Sequence, residues 1–161
     1  FNNNLLFTGT INGYLKVYNL STGQVTQQMD CSGAVNTITW EPKGNLLFVG
    51  DSKGFIYVFE FDQTTGRTTK CSKTTAYGRF ARSRPIISIQ YKAWSNSPQH
   101  RPELLVSCQD NTLKLFNVVS KTSITFKKEF KNIPNTSYRI RSCFCPLISL
   151  RDGACIVTGG E

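Results

Sequence analysis

One phrase is written into this chain three times and begun a fourth. Leu5–Leu20 reads LLFTGTINGYLKVYNL, Leu46–Phe61 reads LLFVGDSKGFIYVFEF and Leu104–Val118 reads LLVSCQDNTLKLFNV, while Ala154–Glu161 reads ACIVTGGE and stops mid-phrase. Each full copy is a short apolar run, a turn, and an alternating run that closes on an aromatic residue or just past one. A hairpin of this kind cannot bury its own apolar face, so the copies must stack against one another.

Aligned on the small residue before each turn, the copies sit at Gly9, Gly50, Ser107 and Gly159, spaced 41, 57 and 52 residues apart. The first interval fits a four-stranded unit of ~40–45 residues, and loops absorb the longer ones at little cost. The turns at Asn12-Gly13, Lys53-Gly54 and Asp110-Asn111 carry residues that tolerate positive φ, as two-residue hairpin turns require. Val35–Trp40, Ile86–Trp94 and Ile140–Ile148 each precede a copy and are expected as innermost strands, apolar enough to be covered on both faces. Gln24–Met29, Thr68–Lys73 and Ile124–Phe130 each follow a copy, and their polar, Lys- and Thr-rich composition suits exposed outer edges.

The expected fold is therefore all-β, with about three four-stranded antiparallel blades and the start of a fourth. Blades are expected at 1–29 (incomplete), 35–75, 85–131 and 140–161 (incomplete), all within one β-propeller domain spanning 1–161. No Met precedes Phe1, and another strand is due after Glu161. The chain reads as part of a ring whose remaining blades would be its first partners, and is expected to be aggregation-prone alone.

These repeats resemble the WD-repeat β-propeller family. The pair that closes the third strand of each copy is Tyr18-Asn19, Phe59-Glu60 and Phe116-Asn117, where the family has Trp-Asp. The Gly-His pair before the inner strand is missing, so the hydrogen-bonded tetrad that stiffens a family blade is not expected in its usual form. The resemblance implies a non-catalytic WD-repeat scaffold for protein–protein interactions in a nuclear or nucleocytoplasmic regulatory complex, located in the nucleus, the cytoplasm or both. Tyr18, Phe59 and Phe116 then replace the usual Trp in the core, and Trp40 and Trp94 join them. Phe48, Phe55 and Tyr57 lie on alternating strands, where half of such residues fill the space between blades.

Charge singles out one region. The net charge is +9, and Gln63–Pro102 holds eight basic residues (Arg67, Lys70, Lys73, Arg79, Arg82, Arg84, Lys92 and Arg101) with no acidic one. Tyr77–Arg84, YGRFARSR, interleaves Arg with aromatics. In the resembling fold, Thr10–Gly13, Cys31–Ala34, Asp51–Gly54, Ala76–Arg84, Gln109–Asn111 and Asn132–Arg139 would share the top rim. The candidate partner-binding residues are therefore Lys53, Arg79, Phe80, Arg82 and Arg84, facing a protein with an acidic surface. The rival reading is a nucleic-acid or anionic-lipid binding module using the basic 67–101 region.

Catalytic chemistry is not legible. His100, the one histidine, sits in a Pro-rich loop with no nucleophile elbow beside it. The glycines lie between strands rather than before a helix, so no phosphate-binding helix terminus is formed. Six cysteines are present. Cys143 and Cys145 alternate around Phe144 and share a face, but no paired ligand spacing for zinc occurs, and the cysteines read as small core hydrophobes in a reducing compartment. Asp51 and Asp110 are expected to accept backbone amides in their turns. No catalytic residue, cofactor or metal is expected, and no apolar run approaches the ~20 residues of a membrane span.

Overall fold

A computed structural model describes residues 4–78, 83–93, 101–135, 137–145 and 155–160. Thirteen strands and no helix occur among them. The first sheet holds β1 (Leu5–Gly9), β2 (Tyr14–Asn19) and β3 (Val25–Asp30). The second holds β4 (Val35–Trp40), β5 (Leu46–Asp51), β6 (Phe55–Asp62) and β7 (Arg67–Thr75). The third holds β8 (Ile86–Lys92), β9 (Glu103–Cys108), β10 (Thr112–Ser120) and β11 (Ser123–Phe130). A two-stranded ladder follows, of β12 (Ser142–Phe144) and β13 (Ile156–Thr158). In every sheet the strands pair antiparallel in sequence order.

The repeats occupy equivalent registers. Leu6 faces Tyr18, Leu47 faces Phe59 and Leu104 faces Phe116. Because side chains alternate along a strand, each sheet buries one set on each neighbour. Leu47, Val49, Tyr57 and Phe59 pack on Leu15 of the first sheet. Phe48, Ile56 and Val58 pack on Ile86, Ile89, Leu104, Val106 and Phe116 of the third. Leu105, Leu113 and Leu115 pack on Phe144 of the ladder. The small residue that aligned the copies has a physical reason. A Cβ on Gly50 would stand 2.7 Å from Ile86 Cγ2 of the next sheet and 2.8 Å from Thr37 Cγ2. The first residue of the next inner strand is thus seated against bare backbone.

Several expectations change. The hairpin loops are longer than two residues: residues 10–13, 52–54 and 109–111 connect the strands, and only their last residue is left-handed, with φ of 82° at Gly13, 80° at Gly54 and 63° at Asn111. This is the pattern of a three- or four-residue loop with one αL position. Tyr18 is half-buried rather than core, because it lies with Leu6 and Val25 on the face of the first sheet turned away from the second; Leu6 and Val25 are exposed. Trp40 is also half-buried, held edge-on between Phe7 and Phe61 with centroids 4.9 and 5.8 Å away. Trp94 lies outside the described residues. Asp110 bonds the Thr112 hydroxyl at 2.5 Å and Lys114 Nζ at 3.1 Å instead of backbone amides.

The inner strand β4 is half-buried throughout rather than apolar, and its polar residues tie neighbouring sheets. Asn36 Nδ2 donates to the Ile86 carbonyl at 2.9 Å, and the Ile89 N–H donates to Thr37 Oγ1 at 3.2 Å. In the third sheet, Gln90 Oε1 accepts from the Phe144 N–H at 3.2 Å. Each inner strand has one ladder edge free, and these side chains satisfy part of it.

Candidate functional site

The loops assigned to one rim do converge. The Val35 N–H donates to the Thr10 carbonyl, the Ser52 N–H to Ala34, the Ala76 N–H to Gly54, the Gln109 N–H to Pro85 and the Ile133 N–H to Asn111, all at 2.8–3.2 Å. The first of these bonds joins the first and second sheets, and the others tie together the loops of the second sheet and those of the third.

The central turn of this rim is locked from below. Asp51, fully buried, accepts from the Lys53 N–H at 2.9 Å and the Phe55 N–H at 2.8 Å. Its other oxygen accepts from the Tyr57 hydroxyl at 3.0 Å, and Tyr57 Oη accepts in turn from the Ser32 N–H at 2.6 Å. The Asp51 reading from sequence therefore holds, and a turn–strand–loop network exists despite the missing Gly-His and Trp-Asp pairs. Burial, the largest cause, pushes the Tyr57 hydroxyl up to about 12.

The third sheet replaces this lock with charge. Lys114 stands in the repeat position of Tyr57, and its ammonium is buried between Asp110 at 3.1 Å and Glu129 at 3.6 Å. It also donates to Thr112 Oγ1 at 2.8 Å and lies 4.1 Å from the centroid of the Tyr77 ring. Tyr77 thereby plugs the start of the Arg-rich loop into the junction between the second and third sheets, and Ile86 anchors its end in the same core. Burial raises the Tyr77 hydroxyl far above the phenol range, and Cys108 and Asp110 push the same way. Neither Lys114 nor Tyr77 was legible as a lock, although Lys114 in register with Tyr57 was a signal available in the repeat alignment.

Of the candidate partner-binding residues, Lys53 and Arg84 are exposed, and their segments touch. A Cβ on Gly54 would stand 2.8 Å from the Arg84 carbonyl oxygen and 2.6 Å from the Tyr77 ring. Arg79, Phe80 and Arg82 lie outside the described residues. Arg84 also borders an open groove of about 530 Å³ with Pro85, Gln109, Asp110 and Asn111. Asp110 thus brings a carboxylate to the rim that the charge count along the chain did not place there, and Lys114 partly neutralises it.

The rest of the basic run divides. Lys73 donates to Ser32 Oγ at 2.6 Å and sits 3.9 Å from the Phe55 centroid. Lys70 donates to the Asp30 carbonyl of the first sheet, and Lys92 donates to the Cys145 carbonyl at 3.4 Å. These three lysines tie neighbouring elements together. No cluster of His, Cys, Asp and Glu able to hold a metal occurs among the described residues. No helix there is long and apolar enough to cross a membrane.

Comparison with solved structures gives the architecture its context. The chain is similar to the β-propeller domain of Cps50 (Swd1) from Myceliophteria thermophila, with a TM-score of 0.59 over 82% of its own length. The fold is a β-propeller. The two sequences are 12% identical, and the chain spans 37% of that domain. The two four-stranded sheets and the three-stranded sheet account for about three propeller blades. No family model matches the chain. A propeller presents its loops from a rigid stack of sheets.

Proposed function

We propose that this chain is part of a single, non-catalytic WD-repeat propeller domain that scaffolds protein–protein interactions through the rim carrying Lys53 and the Arg-rich loop. The observation that carries the reading is the exposure of Lys53 and Arg84 on touching segments, each held from beneath by a buried lock. Such a rim meets a partner without first ordering its base, which lowers the entropy cost of binding. Arg79, Phe80 and Arg82 belong to the same loop and are proposed to complete the surface, with an acidic protein as partner. The segments NNNLLFTGTINGYLKVYNLSTG, IRSCFCPLIS and DGACIVTGGE also resemble WD repeat-containing protein thirteen. On that resemblance the proposed setting is a nuclear or nucleocytoplasmic regulatory complex.

The division of the basic run favours protein over polyanion. Lys70, Lys73 and Lys92 each give a hydrogen bond to a neighbouring element, so part of the 67–101 charge also serves contacts between elements, although Lys70 and Lys73 stay exposed. The test is charge reversal, Arg79→Glu, Arg82→Glu and Arg84→Glu together, in the intact protein, followed by affinity purification with and without nuclease. Nuclease-resistant partners present with the native protein and lost with the triple variant support the reading. Partners that vanish with nuclease support the nucleic-acid alternative. Unchanged recovery by a folded triple variant places the binding face elsewhere, since solvated loop charges contribute little to folding.

A further inference from the structure

The β12–β13 ladder brings two thiols face to face. Ser142 pairs with Thr158, Cys143 with Val157 and Phe144 with Ile156. The next step of that register opposes Cys145 to Cys155, and the Cys145 N–H donates to the Cys155 carbonyl at 2.7 Å. Directly opposed residues project to the same side of a ladder. Phe144 and Ile156 pack toward Leu105, Leu113 and Leu115, so alternation places both thiols on the other face. Cys155 is exposed and Cys145 half-buried.

We propose that Cys145 and Cys155 form a reversible disulfide, a redox modification site that staples β12 to β13 when the chain meets a peroxide. Hydrogen-bonded antiparallel pairs have Cα atoms about 5.5 Å apart, inside the roughly 4.4–6.8 Å that a disulfide spans. Cys143 faces Cys155 only diagonally, at about 7–8 Å, beyond that span. The exposed Cys155 thiolate attacks one peroxide oxygen, giving a sulfenic acid and, after protonation, water. The Cys145 thiolate then attacks the sulfenic sulfur and expels hydroxide, which leaves as a second water. In total, two thiols and one hydrogen peroxide give one disulfide and two waters. A dithiol reductant reverses the bond.

Two of the other thiols are poorly placed to compete. Burial pushes Cys31 and Cys108 each up to about 11, leaving little thiolate at neutral pH. The consequence is local. A ladder of three residue pairs is short for independent stability, and the staple would hold β12 and β13 together.

The experiment treats the purified chain with dilute hydrogen peroxide and maps cross-linked peptides by mass spectrometry before and after dithiothreitol. The expected result is a Cys145–Cys155 cross-link, loss of two hydrogens from the intact mass, four of the six thiols still alkylatable and full reversal by reductant. Cys155→Ser should abolish the cross-link, and Cys143→Ser should leave it intact. A cross-link mapped instead to Cys143, a covalent dimer, over-oxidised cysteine without a cross-link, or six free thiols after treatment would each overturn the proposal. The mapping on the unsubstituted chain decides the question even where a serine variant fails to fold.

Discussion

Tyr57→Phe isolates the lock beneath the candidate rim. The substitution keeps the buried ring, so it opens no cavity and leaves the stacked Phe59 contact at 6.2 Å in place. It removes the hydroxyl that donates to Asp51 at 3.0 Å and accepts from the Ser32 N–H at 2.6 Å. A hydrogen bond to a charged group contributes about 1.5–3 kcal/mol. The half-buried Ser32 amide can recruit water and adds little. The expected loss is about 2–3 kcal/mol, or roughly 4–12 °C in melting temperature for a chain of this size. Thermal and urea unfolding followed by far-UV circular dichroism would read it, with the urea slope unchanged. The pH dependence gives a second check. Burial first, and then the Asp51 charge, hold the hydroxyl near 12 against an ordinary 10, although the Ser32 bonds pull it down. The folded state therefore binds this proton more tightly than the unfolded state. Its contribution is intact below about pH 10 and is lost as pH rises from 10 toward 12. The gap between native and Tyr57→Phe proteins should narrow over that window. A cost below about 0.5 kcal/mol, the level of an ordinary surface change, or a gap that stays constant to pH 12 would refute the lock.

Three further substitutions separate core from surface. Phe59→Ala and Phe116→Ala should each cost about 3–5 kcal/mol in urea unfolding, since both side chains are buried, whereas Tyr18→Ala should cost clearly less despite its equivalent repeat position; equal costs would mean that Tyr18 is core after all. Lys114→Ala strands Asp110 and Glu129 opposite each other and should cost about 2–4 kcal/mol, the upper range of buried-pair losses being tempered by the partial exposure of both carboxylates. Lys114→Met loses the charge but keeps a stem against Tyr77, so equal losses from the two variants would assign the effect to charge, and a clearly smaller loss from Met would assign the difference to packing.

The repeat carried most of the architecture because its information is local. Alternation sets which residues share a face, Gly13, Gly54 and Asn111 supply the left-handed loop positions, and the recurrence of Leu6, Leu47 and Leu104 opposite Tyr18, Phe59 and Phe116 fixes register within each sheet. These follow from backbone sterics and a two-residue period, and they were readable without neighbours. The position of Asp51 in its turn was readable for the same reason. What a side chain meets across a sheet boundary was not. Tyr18 and Phe59 occupy the same place in the phrase, yet Phe59 is buried against the first sheet while Tyr18 lies on that sheet's other face. Lys70, Lys73 and Lys92 read only as a run of charge in sequence, and the stacking of sheets brings each within hydrogen-bond reach of a carbonyl or hydroxyl of a neighbouring element, Lys70 and Lys73 remaining exposed. Cys145 and Cys155 are separated by nine residues and become opposite only when β12 pairs with β13. The sequence thus determined the sheets, whereas the contacts that lock the rim and pair the thiols depend on distances between segments far apart in the chain, which only tertiary packing sets.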